Sequence, residues 1–101
     1  MNLEEVRELK LRNQLKAVNF IESGHAPMVI ELVYTDNDQT FKALLKNDHG
    51  DVITCHNLKE GYDICLGIGV RAANLVQIET DDEATMSDYA DYCTKSIPLS
   101  F

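Results

Sequence analysis

The central part of the chain alternates apolar and polar side chains with a period of two. Met28, Ile30, Leu32 and Tyr34 fall on one side of an extended segment, and the alternation resumes over 41–46. This period is that of a β-strand whose two faces meet different surroundings. The β-branched and aromatic content around Phe20 is also typical of a strand. We therefore predict four strands, near residues 17–21, 28–35, 41–46 and 52–55.

Short segments rich in Gly, Asn, Asp and Pro separate these strands. They lie at 23–27, 35–38 and 47–50. Short turns join neighbouring antiparallel strands, because a parallel connection needs a long crossover. The sequence therefore predicts a four-stranded antiparallel meander.

Two predicted helices begin with the same signature. Asn2 and Asn57 can each accept a backbone N–H at a helix start, and Glu5 and Glu60 follow three residues later, as in a capping box. The first helix is predicted over about 3–12. The second begins after Asn57 and ends at Gly67 or Gly69 in a left-handed position, and an apolar stripe follows its length (Leu58, Tyr62, Cys65 and Leu66).

A fifth strand near 74–79 completes the pattern. We predict an α+β fold of order α-β-β-β-β-α-β, in which the sheet packs against two helices, and we find no internal repeat. Residues 1–80 form one domain, and residues 81–101 form an acidic C-terminal segment that is docked or flexible. Met86, Tyr89, Ala90 and Cys93 recur on one helical face, so this segment is either a short helix or a disordered tail.

The negative charge of the chain is concentrated near its C-terminal end. The formal net charge is −8, and residues 72–94 contain no Lys or Arg. The same span carries six acidic residues: Glu79, Asp81, Asp82, Glu83, Asp88 and Asp91. Such a distribution is not expected to bind nucleic acid or an anionic membrane surface.

The N-terminus and the cysteines predict a cytoplasmic protein. The first five residues are acidic overall and lack the basic and apolar regions of a signal peptide, and no apolar run is long enough to span a bilayer. Cys55, Cys65 and Cys93 are odd in number and widely spaced, which favours three thiols over a disulfide framework.

Cys55 and His56 are the only candidate catalytic pair, and both are weak candidates. A thiol near a helix start can become a thiolate nucleophile with help from a histidine. Adjacent residues in a strand point to opposite faces, however, so the imidazole would not readily reach the sulfur. Tyr62 is a weak candidate for a ligand contact in a pocket between the second helix and the sheet.

Metal and cofactor sites are not predicted. The histidines and cysteines lack the close pairs typical of zinc sites, and the acidic cluster lacks a calcium-binding loop. The glycines at 61, 67 and 69 match neither a dinucleotide nor a phosphate-loop motif.

The order of short motifs resembles a family of small uncharacterised gammaproteobacterial proteins, known only as a domain of unknown function. The resemblance covers about residues 1–83, including the Leu-x-x-Val-x-x-Leu start of the first helix, Met28–Leu32, Asn47–Gly50, Asn57–Gly61 and Leu75–Gln77. It implies a bacterial cytoplasmic protein and assigns no catalytic residue.

Together these patterns favour a non-enzymatic binding or regulatory module that works through protein contacts, including a possible homodimer. Apolar side chains inside a charged rim are typical of an interface, so the predicted contact residues are Asp82, Glu83, Met86, Tyr89 and Tyr92. The alternative is a small-molecule-binding protein or minor enzyme with its pocket near Cys55, His56 and Tyr62.

Overall fold

The computed structural model describes residues 1–24, 27–78 and 93–101. These residues form an α+β fold with two helices and one mixed six-stranded sheet. In chain order the elements are α1 (Leu3–Leu11), β1 (Leu15–Ser23), β2 (Met28–Asp36), β3 (Gln39–Leu44), β4 (Thr54–Cys55), α2 (Leu58–Gly67), β5 (Ala72–Ile78) and β6 (Cys93–Ser100).

Both helices begin at the predicted asparagines. Asn2 Oδ1 accepts from Glu5 N at 2.9 Å, and Glu5 Oε1 accepts from Asn2 N at 3.2 Å, which confirms the capping box of α1. Asn57 Oδ1 accepts from Glu60 N at 3.0 Å. In α2, however, the Glu60 carboxylate accepts from the backbone N–H of His56 at 2.7 Å, one residue before the predicted partner.

Both helices also end in the same way, with two backbone bonds closing a left-handed residue. After α1, Asn13 has φ 59°, and Gln14 N donates to Leu9 O at 2.8 Å. After α2, Gly69 has φ 80°, and Val70 N donates to Cys65 O at 2.8 Å. This is the Schellman arrangement, which satisfies carbonyls that a helix end leaves without partners. Of the two predicted stops, Gly69 is the left-handed one.

The antiparallel meander has three strands where the sequence predicted four. β1 pairs with β2 and β2 with β3, through a tight turn in which Asn37 and Asp38 have φ 50° and 66°. β4 pairs with β2 instead of β3, through Met28↔Cys55 and Val29↔Thr54. The reason is that β3 ends at Leu44, so β4 extends the same side of β2 beyond that end.

The other half of the sheet contains a parallel pair. β5 lies beside β1 and parallel to it, and β6 is antiparallel to β5, so the strand order is β3-β2-β1-β5-β6. No strand was predicted from the sequence over 93–100. Of the helical pattern predicted around Met86, Tyr89 and Ala90, only Cys93 lies within the described residues, and it begins β6.

The main core lies between the helices and one face of the sheet, the first face. Val18 and Phe20 of β1, Ile30 and Leu32 of β2, and Leu75 of β5 point to this face and are at most 8% exposed. The helices add Val6, which is fully buried, and Cys65, together with partly buried residues such as Leu58 and Tyr62. The predicted stripe of α2 fails only at Leu66, which is 46% exposed.

Candidate functional site

The structure points Cys55 and His56 in different directions. Cys55 is buried in the core at 1% exposure, whereas the His56 side chain is 79% exposed and its Nδ1 lies 3.4 Å from Glu60 Oε2. Burial, and secondarily the Glu60 charge, raise the pKa of the Cys55 thiol above its ordinary value. Both effects oppose thiolate formation, so the arrangement does not favour a nucleophile.

A pocket of about 380 Å³ does lie beside these two residues. Its lining includes Cys55, His56, Met28 and Leu75. Tyr62 is not part of the described lining, because its ring packs between other aromatic rings. The Tyr62 ring centroid is 4.3 Å from that of Phe101 and 6.0 Å from that of Phe20.

Within 1–24, 27–78 and 93–101, no group of three or more His, Cys, Asp or Glu side chains is placed to hold a metal ion. Burial raises the pKa of the Cys65 thiol to about 11, which further disfavours it as a ligand. His49 lies in an exposed turn organised by Asn47, whose Oδ1 accepts from His49 N at 2.9 Å and from Asp51 N at 3.0 Å.

The face of the sheet opposite the helices, the second face, carries a hydrogen-bonded row of polar side chains. Asn74 Nδ2 donates to Asn19 Oδ1 at 3.3 Å, and Asn19 Nδ2 donates to Glu31 Oε1 at 2.9 Å. The row crosses three adjacent strands at matching register positions. All three side chains are half-buried.

Aliphatic side chains surround this polar row on the second face. Val29, Val33, Leu44 and Val76 are half-buried, while Ile21 and Ile78 are buried at 4% and 3% exposure. This surface was not predicted from the sequence. The signal that could have revealed it was the second set of apolar residues in the alternating strands, interrupted at one level by Asn and Glu.

Each edge of the sheet has one feature that interrupts a regular open strand. Phe101 N donates to Arg71 O, and the backbone N–H groups of alternate β6 residues point to β5 in the same way. By this alternation the backbone nitrogen of Pro98 points to the open edge, where it has no N–H to offer a partner strand. At the other edge Met1 lies beside the end of β3, where its amino group donates to Leu44 O at 3.3 Å. Short or proline-bearing edges discourage strand addition.

The predicted contact residues Asp82, Glu83, Met86, Tyr89 and Tyr92 lie outside the described residues, and so does His25. Among the helices described, none has the length and apolar character to cross a membrane. No family model, no curated protein and no solved structure matches this chain.

Proposed function

We propose that this protein is a non-enzymatic binding module that acts through protein contacts made by the second face. The observation that carries the proposal is the aliphatic character of that face. When one side of an antiparallel sheet faces water, its side chains are usually polar. Here Val29, Val33, Leu44 and Val76 are half-buried on the side away from both helices.

The polar row gives such a contact its specificity. Asn19 uses its amide to link Glu31 and Asn74, so the three side chains hold one another in fixed positions. A fixed carboxylate among aliphatic side chains favours a partner that brings a hydrogen-bond donor to one place, and it penalises a partner that leaves the carboxylate buried and unpaired. The partner is a second copy of this chain or another protein.

Charge substitution on the second face tests this proposal. We expect Val33→Lys and Val76→Lys to abolish self-association or partner binding, because a charge buried in an apolar contact is costly. Leu66→Lys is the matched control, since Leu66 is an exposed aliphatic residue on α2. Sedimentation velocity gives the oligomeric state, and cross-linking with mass spectrometry in extracts of the native host identifies contacts. Equal association of all three variants would contradict the proposal.

The acidic segment is the second part of the proposed interface. Because β6 pairs with β5, removal of everything after residue 80 would also remove a strand of the sheet. A sharper test replaces residues 80–92 with a short Gly/Ser loop and leaves β6, which begins at Cys93, in place. We expect partner binding to weaken. Unchanged binding would remove Asp82, Glu83, Met86, Tyr89 and Tyr92 from the interface.

The alternative function is small-molecule binding or minor enzyme activity at the pocket beside Cys55 and His56. The pocket itself, of about 380 Å³, is the observation in its favour. A thermal-shift screen against metabolites tests it, because a ligand that binds the native state raises its stability. A stabilising ligand whose effect is lost in His56→Ala but kept in the Leu66→Lys control would establish this function.

We also propose a cytoplasmic location in a bacterial cell. The support is the pair of free thiols, Cys55 and Cys65, which suit a reducing compartment, together with the family resemblance of the first 83 residues. Fractionation of the native host tests the location, and recovery in the membrane or secreted fraction would contradict it.

A further inference from the structure

A pocket of about 370 Å³ lies where the two parallel strands begin. β1 starts at Leu15 and β5 at Ala72, but their pairing begins only at Asn19↔Asn74. The pocket occupies the space between these first residues, and the turns that follow α1 and α2 stand on either side of it. It is separate from the pocket beside Cys55 and from the polar row of the second face.

The charged side chains that line this pocket are all basic. They are Lys10 from the end of α1, Lys16 from β1 and Arg71 from the residue before β5. No Asp or Glu belongs to the lining that the structure describes. This is unusual in a chain with 17 acidic and 9 basic residues.

The helix ends explain only part of this basic cluster. Both helices direct the negative ends of their dipoles toward the pocket, and cations are stabilising there. Arg7 Nη2 already donates to Gly67 O at 3.5 Å, and Lys16 Nζ donates to Asn13 O at 3.2 Å. The Schellman bonds satisfy further carbonyls of both helices.

Lys10 and Arg71 do not take part in these contacts with helix carbonyls. Among the described residues, neither side chain forms a hydrogen bond or an ion pair. The exposed side chain of Lys10 passes close to Gly69, because its Nζ lies 3.4 Å from where a β-carbon on Gly69 would stand. Two cationic side chains from different elements therefore face one cavity without an anionic partner.

We propose that this pocket binds a small organic oxyanion, a carboxylate or a phosphate group carried on a short apolar body. Arg71 provides a planar fork of donors that suits either group, and Lys10 adds a point charge. The apolar part of the ligand would rest on Leu15, Val18 and Val70, which also line the pocket. This inference goes beyond the protein contacts proposed above and does not depend on them.

The test is an NMR titration of the full chain labelled with ¹⁵N. Inorganic phosphate and butyrate serve as separate probes, each compared with sodium chloride at equal ionic strength. We expect saturable shifts of the amides of Asn13, Lys16, Arg71 and Ala72, with the stronger probe showing which oxyanion the site prefers. Lys10→Gln and Arg71→Gln should each weaken binding by about tenfold or more, since each removes a charge-assisted hydrogen bond to the ligand.

Three further variants serve as controls for this titration. Lys42→Gln removes an exposed charge from β3 that does not line the pocket, and should bind as the wild type does. Lys10→Arg keeps the charge and should retain most of the affinity. Arg71→Lys keeps the charge but loses the planar fork, so it should bind more weakly than the wild type and more tightly than Arg71→Gln. These two variants replace the glutamine variants if the latter fail to fold. Shifts that never saturate, that match those in chloride, or that are equal in Lys10→Gln and Lys42→Gln would show adventitious ion binding only and overturn the proposal.

Discussion

α2 lies close to the sheet at Gly61, and a single methyl group there should be costly. A β-carbon on Gly61 would lie 3.1 Å from Cζ and 3.2 Å from Cε1 of Phe20. Phe20 is fully buried, so its ring has little space to move away. Gly67, at the end of the same helix, has no atom within 4 Å of the corresponding position.

This difference makes Gly61→Ala and Gly67→Ala a matched pair. Alanine is favoured over glycine in a helix interior by about 1 kcal/mol, and by less at a helix end. Gly67→Ala should therefore raise the free energy of unfolding by about 0.5 kcal/mol. Gly61→Ala gains about 1 kcal/mol of helix propensity but overpacks the core, which costs about 1–3 kcal/mol. We expect a net loss of roughly 0–2 kcal/mol, so the stabilities of the two variants should differ by about 0.5–2.5 kcal/mol.

Urea unfolding followed by circular dichroism measures both changes, provided that the slope with urea stays constant. The double variant Gly61→Ala with Phe20→Leu identifies the cause, because a smaller side chain opposite the new methyl group relieves the contact. The loss from the two substitutions together should then be smaller than the sum of the separate losses. Equal stabilisation by Gly61→Ala and Gly67→Ala would refute the reasoning, since it would mean that the helix lies farther from Phe20.

Two other perturbations probe the core thiol and a turn. In the folded protein the pKa of Cys65 is raised from 9.0 to about 11. The neutral thiol therefore stabilises the fold below pH 9, and this contribution, roughly 2–3 kcal/mol, is lost as the pH rises toward 11. In Cys65→Ala the free energy of unfolding should fall less steeply with pH over that range. A pH dependence identical to that of the wild type would exclude this cause. Asn47→Ala should cost about 1–2 kcal/mol in urea unfolding because His49 N and Asp51 N lose their acceptor, whereas Asn47→Asp should cost less; equal losses would contradict the hydrogen-bond explanation.

The parts of the fold that the sequence predicted well are those that depend on local chemistry. Asn2 with Glu5, and Asn57 with Glu60, lie within one helical turn of each other, so their capping bonds depend little on the rest of the molecule. The alternation around Leu32 likewise predicts a strand wherever one face is buried.

Strand order depended on contacts between distant residues, which a short pattern does not reveal. β4 has only two residues, so nothing in its sequence distinguishes pairing with β2 from pairing with β3. β6 contains Pro98, which weakens a strand prediction, although an edge position tolerates it. The polar row was missed for the same reason, because Asn19 and Asn74 are separated by 55 residues and meet only when β1 and β5 pair.

The same succession of elements occurs twice in the fold, although the side chains differ. Asn2 and Asn57 each begin a helix, and each helix leads into a strand through a Schellman turn. Two similar helix-to-strand turns send β1 and β5 in the same direction, which is why the pair is parallel.

The two turns differ in the residue at the left-handed position, Asn13 in the first and Gly69 in the second. If they are equivalent, Gly69→Asn should cost less than Gly69→Ala, because asparagine tolerates the left-handed region better than alanine. The β-carbon of either substituted residue at position 69 would contact the side chain of Lys10, so this contact affects Gly69→Asn and Gly69→Ala alike. We expect Gly69→Ala to lose about 1 kcal/mol in urea unfolding and Asn13→Gly to lose nothing. If Gly69→Ala were as stable as the wild type, the left-handed turn, and with it the equivalence of the two units, would be wrong.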